Sequence, residues 1–260
     1  MYNRIVITYL INLKRARERL NSCEKEFKKI ELEYVLVEAV DGKQIKLPHP
    51  NFSHFRYSAL HGKKINLGEL GCYLSHLKVL KKFIESEHNQ ALVCEDDIEF
   101  NPLIKKIIEE ALNCGIKFDL LRLSGGSDIN KEKGSPFKLK NLHDKFHLSI
   151  NFGFKSGTGC YLINRKGATE ILKRLSTMSL PIDHAIDRDW LLNLKSLSVT
   201  PSPVNLKKEL HLDNSFINAT NEYKLNFFIR YWTMVPYRFF NELIRIIYKT
   251  FLYIKIKLEH

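Results

Sequence analysis

The chain has 260 residues, 44% of them hydrophobic and 27% charged, with a formal net charge of +12. That length and balance fit one large α/β domain or a domain with an appendage, and exclude a wholly disordered chain and a polytopic membrane protein. The charge excess favours phosphate, nucleic acid or anionic lipid as partners, and no run of 18 uncharged apolar residues suggests an ordinary spanning helix.

In chain order, Ile5 to Leu10 reads as a buried first strand. A signal peptide would place its positive charge first, whereas here Lys14, Arg15, Arg17 and Arg19 follow the apolar run. The turn N-L-K-R-A-R-E-R, Asn12 to Arg19, sets basic side chains near helix N-terminal amides, a pattern suited to a diphosphate and equally to a solvated helix face. A second strand, Tyr34 to Val37, runs into E-A-V-D-G, where Asp41 contacts a nucleotide or shapes the turn at Gly42. His49 to Lys64 reads as irregular. Leu67 to Ser86 is the strongest helix, with Leu70, Tyr73, Leu74, Leu77, Leu80 and Ile84 on one face, Asn66 as N-cap and Glu69 as its reciprocal partner. Gly68 and Gly71 within it imply close approach of another segment. Ser75 and His76 lie beside the apolar stripe, as structural residues or as ligand contacts.

The third strand, Ala91 to Cys94, runs straight into Glu95-Asp96-Asp97, and a helix from Pro102 follows with Asn101 as its cap. Three adjacent carboxylates at a strand end, where α/β sheets place ligands, repel one another. A divalent cation with oxygen ligands, magnesium or manganese, relieves that repulsion; the alternative is a solvated acidic turn. After a strand from Leu120 to Leu123, the polar, glycine-containing segment Ser124 to Phe137 reads as a lid loop. Further strands are expected at Gly159 to Ile163 and Leu197 to Thr200, with a helix from Asn164 between them. The segment P-I-D-H-A-I-D-R-D-W, Pro181 to Trp190, offers Asp183, Asp187 and Asp189 as bases beside His184. One helical turn would let Asp183 and Asp187 face one cleft, while Trp190 is a core residue or a sugar platform.

Five scattered cysteines with no C-x-x-C pair read as core residues of a protein in a reducing cytoplasm. From Lys224 to Leu258 the chain carries ten of its 29 aromatic residues, and seven basic residues against Glu242. Pro236 divides this tail into two helices. Phe240, Leu243, Ile244, Ile247 and Phe251 would enter a membrane surface while Arg238, Arg245 and Lys249 meet headgroups, or the tail packs on the domain with a basic outer face. Leu258-Glu259-His260 reads as the start of a purification-tag linker.

Six ordered blocks resemble glycosyltransferase family 25, the bacterial lipooligosaccharide galactosyl- and glucosyltransferases, to which collagen galactosyltransferases are related. They are I-N-L-K-R (from Ile11), E-A-V-D-G (from Glu38), L-G-E-L-G-C-Y-L-S-H-L-K (from Leu67), A-L-V-C-E-D-D (from Ala91), G-T-G-C-Y-L-I-N-R-K-G-A (from Gly157) and P-I-D (from Pro181). The resemblance implies a GT-A-like nucleotide-binding α/β domain with a mostly parallel central sheet, placed over residues 1–222, and the basic-aromatic composition of the tail sets residues 223–258 apart as helices for membrane association. It implies an inverting transfer of a hexose, galactose before glucose, from a UDP-sugar to a lipooligosaccharide or lipopolysaccharide acceptor, supported by Mn2+ or Mg2+. Asp97 and Glu95 would hold the metal, Asp183 of P-x-D would be the base, and Asp187 comes second. Contacts to the nucleotide-sugar would come from Asn12, Leu13, Arg15, Arg19, Asp41, Gly42, Ser75, His76, Asp96, Gly157 and Thr158, and His211 would be a late metal ligand. The expected location is cytoplasmic, peripheral on the inner face of a bacterial inner membrane. The rival readings are a metal-dependent phosphohydrolase and a non-catalytic basic module binding nucleic acid or anionic lipid; no nucleic-acid motif is present, so no such partner is expected.

Overall fold

The computed structural model describes residues 6–125, 135–207 and 225–260. His211, the core of the expected lid loop and the boundary at residues 222–223 lie outside the described residues.

An eight-stranded sheet runs through the centre in the order β2-β1-β3-β8-β5-β9-β7-β6. The strands are β1 (Val6–Asn12), β2 (Val35–Glu38), β3 (Gln90–Glu95), β5 (Leu120–Arg122), β6 (Pro136–Asn141), β7 (His147–Asn151), β8 (Cys160–Asn164) and β9 (Ser196–Thr200); β4 (Ile98–Phe100) and β10 (Val204–Leu206) pair with each other. Six of the eight point one way, the parallel set that the sequence predicts. The exceptions are β7 and β8. Because β8 inserts between β3 and β5, and β6–β7 is a hairpin closed by a short turn, four of the seven neighbouring pairs are antiparallel.

Strand side chains alternate between two cores, so both faces are buried. On one face Leu10, Leu92, Cys94, Leu121 and Leu197 meet α1 (Arg17–Lys29, through Cys23 and Phe27) and α4 (Ile104–Asn113, through Ile104, Ile107 and Ile108). On the other, Tyr9, Ile11, Val93 and Tyr161 meet α3 (Leu67–Glu85, through Leu70, Tyr73, Leu77 and Phe83) and α5 (Arg165–Arg174, through Ala168 and Ile171). The caps follow the sequence: Asn66 Oδ1 accepts from Gly68 N at 2.9 Å, and Asn164 Oδ1 from Gly167 N at 2.7 Å. Glu69 differs, its carboxylate turning to the Tyr57 hydroxyl. The helix after the acidic triplet starts at Ile104 rather than Pro102, and Asn101 Oδ1 accepts from Leu103 N at 2.9 Å.

His49 to Lys64 is more ordered than expected. Ser53 caps the helix α2 (His54–His61), and Gly62, at φ +72°, ends it in the left-handed conformation. Two short helices, α6 (Ile182–Ile186) and α7 (Asp189–Leu192), follow α5. The tail forms one long helix, α8 (Val235–Glu259), with Pro236 in its first turn and a short helical lead-in from Phe227.

This helix combines the two expectations for it. Leu252 and Ile256 enter the sheet core, whereas Phe239, Phe240, Ile247 and Phe251 stay exposed. The correction concerns charge. Arg245 and Lys249, expected at lipid headgroups, point inward and pair with Asp187 and Asp189, because a carboxylate buried among α6, α7 and α8 is stable only beside a cation. Among the described residues no helix is long and apolar enough to cross a membrane.

Candidate active site

The ends of β1 and β3, the turn after β2, the first turns of α3, the loop before β8 and the start of α6 enclose a cavity of about 990 Å3. That lies at the upper end of small-molecule sites. Of the candidate residues named from the sequence, Asp187, Asp189, Trp190 and the undescribed His211 do not line it; the rest do.

The basic turn shapes the acid cluster. Asn12 Nδ2 donates to Asp96 Oδ2 at 2.6 Å and to Ala16 O at 3.2 Å, while the Arg19 guanidinium pairs with Asp96 and, at 3.0 Å, with Asp97. Arg19 therefore bridges two carboxylates in this structure, where the sequence assigned it to a diphosphate. Burial pushes the Asp96 carboxyl up to about 6 and the neighbouring Asp97 charge adds to the rise, against the pull of Arg19 and Asn12. Arg15 makes a two-point contact with Asp41, at 2.7 and 3.1 Å, and holds that carboxyl below its usual range. Asp41 Oδ1 also accepts from Lys43 N at 2.9 Å, so it shapes the turn at Gly42.

The turn is clamped by close backbone packing. A Cβ on Gly71 would lie 2.6 Å from Val40 O, and one on Gly42 would lie 2.4 Å from Leu67 O. Ser75 completes the contact: its Oγ accepts from Val40 N at 2.8 Å and donates to Gly71 O at 2.6 Å. Gly71→Ala is expected to destabilise the fold by about 1–3 kcal/mol, the usual cost of overpacking, read as a lower urea midpoint at unchanged slope. An unchanged midpoint would show that α3 moves away without penalty.

Glu95 faces a different set of groups from Asp96 and Asp97. Its Oε1 accepts from Thr158 Oγ1 at 2.7 Å and lies 3.1 Å from His76 Nε2, and His76 Nδ1 is 3.0 Å from the Tyr161 hydroxyl. Among the described residues, Cys72, His76 and Glu95 are the group of three potential metal-binding side chains whose ligand atoms fall within 4.8 Å of one another. The acidic triplet thus splits between Arg19 and His76 instead of converging on one point. Glu95 and Asp97 still present hard oxygen donors at the cavity wall, the type that magnesium or manganese takes.

Across the next segment, Gly157 N donates to Asp183 Oδ2 at 3.1 Å, and Asp183 Oδ1 accepts from His184 N at 2.9 Å. Gly157, at φ +85°, adopts a backbone conformation that favours glycine. Leu13 contributes its carbonyl to the turn, accepting from Ala16 N at 2.7 Å. Asp187 does not share the cleft with Asp183: it pairs with Arg245 at 2.6 Å and lies 3.8 Å from Arg122, and burial pushes its carboxyl up to about 6. Asp189 is fully buried against Lys249, and Trp190 packs near the Arg245 guanidinium, 5.6 Å from its ring centre, so neither faces the cavity.

The cavity also gains residues not assigned from sequence: His61, Lys63 and Cys72. For His61 the readable signal was the pair Ser53 and Gly62, a cap and a stop around a short helix, hidden within a stretch rich in turn-forming residues.

A profile described as Glycosyltransferase family 25 (LPS biosynthesis protein) matches residues 6–186. A Glycosyltransferase 25 family member of Drosophila melanogaster is 29% identical over 72% of this chain and 30% of its own length. Human Procollagen galactosyltransferase 2 is 35% identical over 38% of this chain and 16% of its own length. The chain thus spans less than a third of these relatives. Among solved structures, a glycosyltransferase involved in glycosylation of the major capsid of PBCV-1 is similar over 64% of this chain and 62% of its own, with TM-score 0.30 and 8% identity. With a family profile covering most of its length, this α/β chain belongs to glycosyltransferase family 25.

Proposed function

We propose that this protein is an inverting glycosyltransferase that moves a hexose, galactose before glucose, from a UDP-sugar to a saccharide acceptor of the lipooligosaccharide type. The observation that carries the reading is one dipeptide. Gly157 donates to the candidate base Asp183, and Thr158 donates to Glu95 of the acidic triplet, so the candidate base and a candidate cation ligand share one cavity wall.

In this reading Asp183 takes the proton from the attacking sugar hydroxyl, which is a poor nucleophile until that proton leaves. Arg15, held by Asp41, and Lys43 in the same wall meet the diphosphate. Glu95 and Asp97 would hold Mn2+ or Mg2+, which when bound supplies positive charge to the departing UDP. Arg19 keeps Asp96 and Asp97 from repelling each other in the absence of that ion.

The setting proposed is peripheral, at the inner face of a bacterial membrane. Phe227, Phe228, Trp232, Phe240 and Phe251 are each more than half exposed along the tail, an apolar face suited to the lipid interface. Arg238 is exposed on that helix as well, but Arg245 and Lys249 are not available to lipid.

Calorimetry of UDP with and without manganese tests the reading, together with turnover of UDP-galactose. Wild-type protein is expected to bind UDP tightly only with the metal, and Asp97→Ala to lose about tenfold or more of that affinity, about 1.4 kcal/mol. A wild-type protein that binds neither UDP nor UDP-sugars would end the transferase proposal, and unchanged metal-supported binding by Asp97→Ala would remove Asp97 as a ligand.

A further inference from the structure

The part of the cavity beside Asp183 has a chemistry unlike that of the acidic triplet. His61, at the end of α2, lines the cavity while being only 5% exposed, and neither ring nitrogen has a hydrogen-bond partner. The nearest carboxylate oxygen, Glu69 Oε2, is 4.0 Å from His61 Nε2, beyond hydrogen-bond reach. Buried polar atoms in folded proteins are almost always satisfied, so a ring with both nitrogens unpaired, on a residue of the cavity wall, points to a partner that reaches it as the cavity fills.

The surrounding groups fix what that partner is. Burial, with help from the charges of Lys63 and Arg238, pushes the His61 ring down to about 3, so at neutral pH it offers one N–H donor and one bare nitrogen acceptor. Glu69 is held in place by the Tyr57 hydroxyl, and its other oxygen lies 4.0 Å from Lys63 Nζ. His184 stacks on Phe154 at 4.4 Å and meets His61 edge-on at 5.3 Å, so both rings are braced. The neutral ring brings no charge to a phosphate, the carboxylates of Glu69 and Asp183 oppose one, and Lys63 already lies 4.0 Å from Glu69 Oε1. An apolar group would leave the ring nitrogens unsatisfied. A hydroxyl, which donates and accepts at one atom, matches both the ring and the carboxylate.

We propose that His61 and Glu69, braced by Tyr57 and His184, form a saccharide subsite that reads hydroxyl groups of the sugar beside Asp183. The proposal rests on the transferase reading and adds to it which residues hold sugar rather than nucleotide. The sugar is the hexose of the donor or the terminal unit of the acceptor; both present the same hydroxyl chemistry, and the experiment separates them.

The test uses His61→Phe and Glu69→Gln, the second of which keeps the side-chain volume and removes only the charge. UDP affinity is measured by calorimetry, and initial rates are measured against UDP-galactose and against a saccharide acceptor. Both variants are expected to bind UDP within about twofold of wild type, which also shows that they are folded, and to raise one KM by about tenfold or more. A raised donor KM assigns the subsite to the transferred hexose, and a raised acceptor KM assigns it to the acceptor. UDP binding retained with both KM values unmoved in both variants overturns the subsite alone. A wild-type protein that binds neither UDP nor UDP-galactose overturns the transferase reading and the subsite with it.

Discussion

An Asp183→Asn enzyme is expected to bind UDP as the wild type does and to transfer sugar about 10^2 to 10^4-fold more slowly, the usual contribution of a positioned general base. The amide matches the carboxylate in shape, and its single oxygen can still accept from Gly157 N, which donates to Oδ2 at 3.1 Å in the wild type, although the bond from His184 N to the other oxygen is then given up. What it loses is the ability to take a proton from the acceptor hydroxyl. Asparagine is therefore a cleaner test than alanine, which would also free Gly157 and disturb the neighbouring Thr158 and its bond to Glu95. The measurement is single-turnover transfer beside UDP calorimetry, so that chemistry and binding separate. Transfer within tenfold of wild type would remove Asp183 from the reaction.

The second large effect concerns stability. Lys249→Met leaves the carboxylate of Asp189, which is fully buried, without its cation, and breaking one partner of such a pair costs about 3–5 kcal/mol. For a chain of this size that lowers Tm by on the order of 10 °C. The deficit has a pH signature. Burial raises the Asp189 carboxyl above its ordinary value, and loss of Lys249 removes a group that opposes the rise. The folded state of the variant then holds a proton that the unfolded chain releases near pH 4. Its stability is best below that range and falls as pH rises through the folded-state value, so the gap to wild type widens toward neutrality. A double variant, Lys249→Met with Asp189→Leu, should recover much of the loss. A single variant as stable as wild type at pH 7 would show that α8 is not anchored by this pair.

These pairs also mark where sequence reading stops. Asp183 and Asp187 stand one turn apart, and spacing alone gives them one cleft. Arg122 and Arg245 come from a distant strand and from the tail, and their convergence on Asp187 is a tertiary fact that no local pattern carries. The same holds for Arg245 and Lys249, whose interleaving with aromatic residues reads as a lipid-facing helix until the carboxylates across the core are placed. By contrast β1 and β3 were legible as apolar runs, and α3 and α5 because apolar periodicity and a capping asparagine agree. The hairpin β6–β7 was not: β6 is mostly exposed, with Lys138, Lys140 and Asn141 outward and Leu139 inward, so it lacks the apolar run that marked the other strands. The cavity itself was largely readable, since strand ends and glycine turns place ligands by geometry, and His61 was missed because a short helix lay inside a polar stretch.

The Gly157-Thr158 dipeptide ties the candidate base Asp183 to Glu95 of the acidic cluster through two adjacent residues. Under the proposed roles, a cation that drew Glu95 away from Thr158 would pull on the peptide bonded to Asp183, and an acceptor that reoriented Asp183 would push back through Gly157. Thermodynamic linkage is symmetric, so any factor by which cation binding changes acceptor affinity is the factor by which acceptor changes cation affinity. Cooperativity between cation and acceptor would then be written into two adjacent residues rather than into a moving domain.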